Sequence, residues 1–361
     1  MQQRLTTKTT QFKQDFKIEG NIVGKGHSPY IIAELSGNHG GSLDHALKLI
    51  DVAARTGVSA LKIQTYKPDT ITLNHNGPEF VVKEKLWQGR TLYDLYEEAH
   101  TPWEWHAALF KQAKINNITL FSSPFDNTAV DLLEDLNCPA YKIASFELTD
   151  IGLIKYAAST KKPIIMSTGM ATFDEIQEAV AAAADAGGTE LVVLHCISGY
   201  PTPIADCNLT TLTDLQRKLG VPVGLSDHSL DDTAAIAATA LGACVIEKHF
   251  KLKGDDSSVD SAFSLDEEQF SRLVTRVKDT HASLGEVNYR LTDSEQDNAP
   301  FRRSLYVAKA IKRGEIFTAE HVRSVRPGKG LHPRHLNEVI GQVAAQDVEF
   351  GTPLAWEHVV Q

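Results

Sequence analysis

Eight short apolar runs recur along the first 250 residues, and each is followed by a stretch of helical periodicity. The runs are IIAELS, ALKIQTY, ITLFSSPF, AYKIAS, PIIMSTG, LVVLHCIS, VGLSDH and VIEKHF. Short apolar runs rich in β-branched residues, with little alternation, read as parallel strands buried on both faces. Their connections are long enough to hold a helix each, which is the pattern of βαβ units. Eight units over roughly 260 residues predict an α/β fold of the (β/α)8 TIM-barrel kind. A doubly wound open sheet is the alternative, but it gives no reason for eight regular repeats.

The helices carry start and stop signals. Ser42 is placed to cap a helix whose Leu43, Ala46, Leu47, Ile50 and Ala53 share a face, with Gly57 ending it. Thr101 to Glu104, Thr172 to Glu175 and Ser264 to Glu267 read as capping boxes, the first with proline at the opening helical position. Before the barrel, FKIEGNIVGKGHSPY reads as a hairpin that plugs the barrel floor. After Gly285 the pattern changes: 286–299 is polar and helix-poor, a linker, and 300–361 holds short strands and glycine turns. The expected organisation is a hairpin plus barrel over 1–285, a linker over 286–299 and a small β-rich domain over 300–361.

In such a barrel the active site lies at the C-terminal ends of the strands, so their polar residues are candidates by position. They are Glu34 and Asn38; Lys62 and Gln64; Ser122 and Ser123; Lys142, Ser145 and Glu147; Ser167 and Thr168; Ser198 and Tyr200; Ser226, Asp227 and His228; Glu247, Lys248 and His249. His228 and His249 each close an apolar run and stand 21 residues apart, the length of one strand, one loop and one helix. If their strands are neighbours, the two imidazoles meet at one sheet edge and can hold a divalent cation with positions left open. Each alone reads equally as a hydrogen-bonded core histidine. Lys62 and Lys142 lie inside apolar strands, where lysine is rare unless paired. With serines at the same rim and the Ser167-Thr168-Gly169 turn they suit a phosphate or carboxylate dianion, the alternative being structural ion pairs with Glu34, Glu147 or Glu247. Asp260, in the loop after the last strand, is a further acid that faces the mouth.

A formal charge of −10 without a Lys/Arg stripe argues against nucleic acid as a partner. No run of eighteen apolar residues occurs, and the polar N-terminus MQQRLTTKTTQFKQDF has no signal-peptide core. The expectation is a cytoplasmic protein with no membrane partner. Four cysteines without CxxC spacing, Cys138, Cys196, Cys207 and Cys244, fit reduced thiols.

AELSGNHGGS, LKIQTY, FSSPFD, YKIASFE, STGM, YPTP, GLSDHS, GACVIEKHF, FRRSLY and RPGKGL together resemble the sialic-acid synthase family, in one order over residues 31–331. Within it, AELSGNH and residues 86–106 are most similar to the branch that makes pseudaminic acid, rather than to those that make N-acetylneuraminic or legionaminic acid. The resemblance implies a barrel with a C-terminal antifreeze-like (SAF, β-clip) domain, and a homodimer in which that domain covers the partner's barrel mouth. It implies a carbon–carbon bond-forming transferase that joins phosphoenolpyruvate to an open-chain N-acetylated amino-sugar, 2,4-diacetamido-2,4,6-trideoxy-L-altrose, and releases phosphate by C–O cleavage. The same mechanism on N-acetylneuraminate or legionaminate precursors is the alternative. A metal-dependent barrel hydrolase is a remote one, since it has no use for two buried lysines.

By resemblance, Lys62, Gln64, Ser123, Lys142, Ser145, Ser167 and Ser226 bind phosphoenolpyruvate. His228 and His249 hold the metal, foremost Mn²⁺, with Mg²⁺ or Co²⁺ as alternates. Glu147, Tyr200, Asp260 and Arg326 contact the sugar, Arg326 across the dimer, and Glu34 is the expected base for the attacking water. Two departures stand out: Ser198 replaces an asparagine found beside phosphoenolpyruvate in the neuraminic branch, and Gly199 replaces a larger residue before Tyr200.

Overall fold

In the computed structural model, which describes residues 12–83 and 87–360, all eight apolar runs are strands. A hairpin of β1 (Asp15–Ile18) and β2 (Asn21–Gly24) comes first. It is followed by β3 (Tyr30–Glu34), β4 (Ala60–Thr65), β5 (Thr119–Pro124), β6 (Tyr141–Ile143), β7 (Ile164–Ser167), β8 (Leu191–Cys196), β9 (Val223–Asp227) and β10 (Val245–His249). β3 to β10 pair in parallel with their neighbours in chain order, and β10 closes on β3, giving a sealed eight-stranded barrel. Nearly every strand residue is buried, as a helix-covered parallel sheet requires.

The covering helices are, in chain order, α1 (Leu43–Ala54), the short α2 (Pro68–Ile71) and α3 (Leu92–Ala99), α4 (His106–Ile115), α5 (Asn127–Asp135), α6 (Ile151–Ser159), α7 (Phe173–Asp185), α8 (Thr210–Leu219), α9 (Thr233–Ala240) and α10 (Glu267–Leu284). Ser42 caps α1 by accepting the His45 N–H, and Thr172 and Glu175 form both halves of a capping box on α7. Gly57, at φ +84°, reverses the chain three residues after α1 ends.

Two expected caps are misplaced. A 3₁₀ turn at Trp103–Trp105 precedes α4, so the helix begins at His106, out of reach of the Thr101 side chain. On α10 the box is Asp266 with Gln269, two residues beyond Ser264. The Ser264 hydroxyl instead donates to the Asp260 carbonyl (2.7 Å) and accepts from the Asn38 amide (2.8 Å), tying the loop after β10 to the loop after β3.

The β1–β2 hairpin covers the floor. Its Phe16, Ile18 and Val23 join the barrel core. Just before it, the Lys13 N–H donates to the Thr189 carbonyl (2.9 Å) and the Gln14 amide to the Gly220 carbonyl (2.7 Å), just ahead of β8 and β9.

The chain divides into two compact units between Gly285 and Glu286. The second has its own apolar core, built on Leu305, Val307, Ile311, Phe317, Val322 and Leu354. It contains the antiparallel pair β11 (Ser304–Val307) and β12 (Val322–Val325), isolated bridges and one helical turn, α11 (Leu336–Val339). The Ser304 hydroxyl donates to the Pro327 carbonyl (2.7 Å) and accepts from the Gly330 N–H (2.9 Å), holding the 326–330 loop against β11. Gly330 leaves no room for a Cβ against the backbone of Leu305 and Leu354. Among the described residues no helix is long and apolar enough to cross a membrane, and the four cysteines are free thiols.

Candidate active site

Side chains alternate along a strand, so one residue in two at each strand end enters the barrel. That alternation and the parallel register bring together Glu34 on β3, Lys62 and Gln64 on β4, Ser123 on β5, Lys142 on β6, Ser167 on β7, Cys196 on β8, Ser226 on β9 and Glu247 with His249 on β10. The Lys62 ammonium lies 2.7 Å from Glu34 Oε2 and 3.2 Å from Glu247 Oε1, and the Lys142 ammonium 3.5 Å from that same Glu247 oxygen. The Ser226 hydroxyl donates to it as well, at 3.1 Å. The Gln64 amide reaches Glu34 Oε1 (3.3 Å) and Ser36 Oγ (3.0 Å).

All these charges are buried. Burial lowers the Lys62 pKa to about 8, partly offset by Glu247 and deepened by Lys142. Burial works against Glu247 ionising, but Lys142, Lys62 and the Ser226 hydroxyl outweigh it and bring it down to about 2. Glu247 is therefore an anion locked between two cations, the hub of the strand-end cluster. The ion pairing expected as the structural alternative for the lysines is present, and Lys142 is only loosely engaged, its other contact being the Ile143 carbonyl at 3.4 Å.

Around this hub the hydroxyls of Ser123, Ser167 and Ser198 are buried without a hydrogen-bond partner. Buried polar groups are normally satisfied, so three unpartnered hydroxyls beside two lysines are chemically suited to an oxyanion. Ser145 Oγ accepts the Gly169 N–H at 3.0 Å, and a Cβ at Gly169 would run into both Ser145 and Ser198. Glycine is what lets this turn approach the serines.

The two histidines converge. Their rings lie 5.4 Å apart between centroids, at the ends of adjacent strands. The Ile197 carbonyl sits 3.0 Å from His228 Nδ1. A carbonyl only accepts, so that nitrogen carries a proton; burial works against a cation at His228, but Cys196 and the Ile197 carbonyl outweigh it and raise its pKa, so Nε2 offers a lone pair to a cation in exchange for a proton. His249 Nδ1 is buried and unpartnered; the nearest carboxylate oxygen, Asp260 Oδ2, is 3.9 Å away, too far for a hydrogen bond. Burial, with His228 and the neighbouring lysines, holds the His249 pKa well below the usual range, so its imidazole is neutral. A neutral ring with an unused nitrogen, facing a second ring whose Nε2 is open once it gives up its proton, fits a divalent cation. Among the described residues no cluster of three or more His, Cys, Asp or Glu is arranged to hold a metal.

Above the histidines, Tyr200 packs its ring 4.5 Å from His228 and 5.0 Å from Phe263, and Phe263 lies 4.9 Å from His249. Asp260 is buried and accepts the Gly37 N–H at 3.5 Å. Glu147, on the turn after β6, has an unpartnered buried oxygen, and burial raises its pKa to about 7 against the pull of Lys142. Arg326 is exposed on the 326–330 loop of the second unit. Leu86, the first residue of the 86–106 motif, and residues 1–11 of the polar N-terminus lie outside the described residues.

Two members of the site are less legible in the sequence. Glu247 appears there only as a strand-end acid and one of three candidate ion-pair partners for the lysines, although the inward position of His249 implies it two residues earlier. Cys196 faces His228 with Sγ 3.9 Å from Nδ1. Burial pushes its thiol up, but contact with the His228 ring, Ser145 and Lys142 brings it down to about 7.

Residues 49–289 match the NeuB family and residues 302–360 the SAF domain. The chain is 46% identical over 325 residues to a pseudaminic acid synthase of Campylobacter jejuni, covering 90% of this chain and 95% of that protein. It is 42% identical over 332 residues to a pseudaminic acid synthase of Helicobacter pylori, covering 92% and 98%. Among solved structures, the N-acetylneuraminic acid synthetase of Leptospira borgpetersenii, in complex with citrate, superposes with a TM-score of 0.71 at 29% identity, over 80% of this chain and 96% of that one. A closed barrel carrying this set of strand ends, followed by a SAF domain, makes the chain a member of the NeuB family.

Proposed function

We propose that the chain is a pseudaminic acid synthase: it condenses phosphoenolpyruvate with 2,4-diacetamido-2,4,6-trideoxy-L-altrose and water, giving pseudaminic acid and phosphate. The observation that carries this reading is the Lys62–Glu247–Lys142 cluster, ringed by unpartnered serine hydroxyls, on the barrel that also presents two facing imidazoles. An anionic donor and an electrophile held side by side are what a phosphoenolpyruvate condensation needs. The identity to relatives of that name, over nearly their whole length, favours the pseudaminic precursor.

Lys62 and Lys142 neutralise the phosphate and carboxylate of phosphoenolpyruvate, with Gln64, Ser123, Ser145, Ser167 and Ser226 completing its hydrogen bonds. C3 of phosphoenolpyruvate bonds to the aldehyde carbon of the sugar with the electron pair of its C2–C3 double bond, as the carbonyl double bond opens and its oxygen takes up a proton to become a hydroxyl. Water adds its oxygen to C2, and the bond between C2 and the bridging oxygen then breaks, so phosphate departs with that oxygen and C2 becomes a carbonyl. Glu34, the register partner of His249, takes the proton from that water. Glu147, Tyr200 and Asp260 orient the sugar, and Arg326 of one subunit serves the mouth of the other in a cytoplasmic homodimer. His228 and His249 would hold a divalent cation, Mn²⁺ foremost and Mg²⁺ or Co²⁺ as alternates, which when bound supplies Lewis acidity toward the aldehyde oxygen.

The test measures phosphate release from phosphoenolpyruvate with the altrose precursor, N-acetylmannosamine and the legionaminic precursor in turn. Preference for the altrose precursor is expected, with loss of turnover on adding EDTA. Equal or better turnover of N-acetylmannosamine overturns the substrate. Glu34→Gln lowers turnover and leaves phosphoenolpyruvate affinity in place; a full-rate variant removes Glu34 from the role of base.

A further inference from the structure

We infer that the buried pair Lys248–Asp227, on the outer face of the barrel wall, is a positioning device that sets the spacing of His228 and His249. The inference rests on the proposed metal-holding role of those histidines.

β9 and β10 are in register with Ser226 opposite Glu247 and Asp227 opposite Lys248. One step further along the same register brings His228 beside His249. The last two paired positions are tied on opposite faces of the wall. Inside the barrel the Ser226 hydroxyl donates to Glu247 at 3.1 Å, and outside it the Lys248 ammonium lies 2.7 Å from Asp227 Oδ2.

The outer tie does more than join two strands. The ammonium also donates to the Ser229 carbonyl and lies 3.4 Å from the Ser229 hydroxyl, while Asp227 Oδ1 accepts the Ser229 N–H at 2.8 Å. Lys248 thus grips the residue before His228 and the residue after it, from the position just before His249. Three acceptors meet the three N–H donors of the ammonium, so its hydrogen bonding is complete.

The Lys248 side chain is fully buried and that of Asp227 nearly so. An apolar pair of similar volume would stabilise a strand–helix interface as well as a buried ion pair does, because desolvating two charges offsets most of their attraction. What an apolar pair cannot do is fix hydrogen-bond geometry on both sides of one residue. Partners behind a metal ligand typically govern metal affinity about 10- to 100-fold when removed.

The experiment compares the parent protein with Lys248→Met/Asp227→Leu, which removes both charges and strands neither. Thermal unfolding reports whether the barrel stays folded. Mn²⁺ affinity by calorimetry, and phosphoenolpyruvate affinity without metal, are the readouts. The expected result is a folded barrel whose Mn²⁺ affinity drops about ten-fold or more with phosphoenolpyruvate affinity unchanged. Parent-like Mn²⁺ affinity in the folded double variant overturns the inference and leaves the reaction assignment standing, and so does a parallel loss of phosphoenolpyruvate affinity. Absence of Mn²⁺ binding to the parent itself overturns the metal reading and this inference with it. Should the double variant not fold, Asp227→Asn keeps the shape and loses the charge; a smaller loss of Mn²⁺ affinity is expected, and none overturns the inference.

Discussion

The barrel and the C-terminal unit treat charge in opposite ways. In the barrel, Glu34, Lys62, Lys142, Asp227, Glu247 and Lys248 are all buried and all paired. In the C-terminal unit the ion pairs Lys309–Glu320 and Lys312–Asp347 lie at the surface, and its core is apolar. Burying a charge costs stability unless it is paired, and even then gains little. A fold that buries six at one end of its strands retains them for what they do, whereas the small unit's exposed ion pairs contribute little to stability. Replacing a lysine in each unit breaks that contrast most sharply. Lys62→Met leaves Glu34 and Glu247 short of a cation and is expected to destabilise by about 3–5 kcal/mol, the range for a broken buried pair. Its turnover is expected to fall by at least about 100-fold, as when a preorganised electrostatic group is lost. Lys312→Met leaves melting temperature and turnover where they were. Parallel effects in the two variants, read by calorimetric melting and phosphate release, would erase the distinction.

The next largest effect separates the units physically. A chain ending at Gly285 retains the sealed barrel and its core. It is expected to fold and to bind phosphoenolpyruvate as the full chain does, while KM for the sugar rises by about ten-fold or more, the mark of lost binding rather than lost chemistry. Unimpaired sugar kinetics would show that Arg326 and its loop take no part in the site.

Most of the barrel is legible in the sequence because burial on both faces leaves one signal, the apolar run, and eight of them leave one closed solution. The floor hairpin is legible from the turn at Glu19-Gly20 between apolar runs, both residues at positive φ. What the sequence obscures is the inward or outward sense at the last turn of a strand. In VIEKHF three polar residues follow one another, and only the register shows that Glu247 and His249 enter the barrel while Lys248 turns to Asp227 behind it. The caps fail for a related reason. Ser264 and Asp266 are both good cap residues, and the choice falls to Asp266 because Ser264 is occupied by Asn38, 226 residues away in the chain. Free hydroxyls are invisible in sequence altogether: Ser122 is satisfied by Thr65 and the Ile63 carbonyl, whereas its neighbour Ser123 is not.

A smaller effect follows from Lys62 alone. With its pKa lowered to about 8, the free protein loses this cation as pH rises through that value. Phosphoenolpyruvate binds the charged form, so log affinity is expected to be flat below about pH 8 and to fall toward a limit of about ten-fold per pH unit above it. In the C-terminal unit Lys309 and Lys312 are shifted the other way, raised chiefly by their hydrogen bonds to Glu320 and Asp347, which sharpens the comparison between the units. Affinity that stays level to pH 9.5, measured by calorimetry, would show that Lys62 is held charged by its partners throughout.

A further effect concerns Glu147, whose pKa burial raises to about 7. The sign follows from proton counting: between about 4.5, its unfolded value, and 7 the folded state binds more protons than the unfolded state. Stability is thus fully present below the lower value and declines as pH rises through the upper one. Glu147→Gln removes the titration, so the variant is expected to melt above the parent at pH 8, with the gap closing at pH 5. Glu320→Gln in the C-terminal unit changes the sign. That carboxylate is held below its usual range, chiefly by the Lys309 hydrogen bond, so any effect has the opposite sign, and at this fully exposed pair the melting temperature is expected to stay near the parent's. A Glu147→Gln variant that melts below the parent at pH 8 would mean that the Lys142 and Lys62 charges govern this carboxylate more than its burial does.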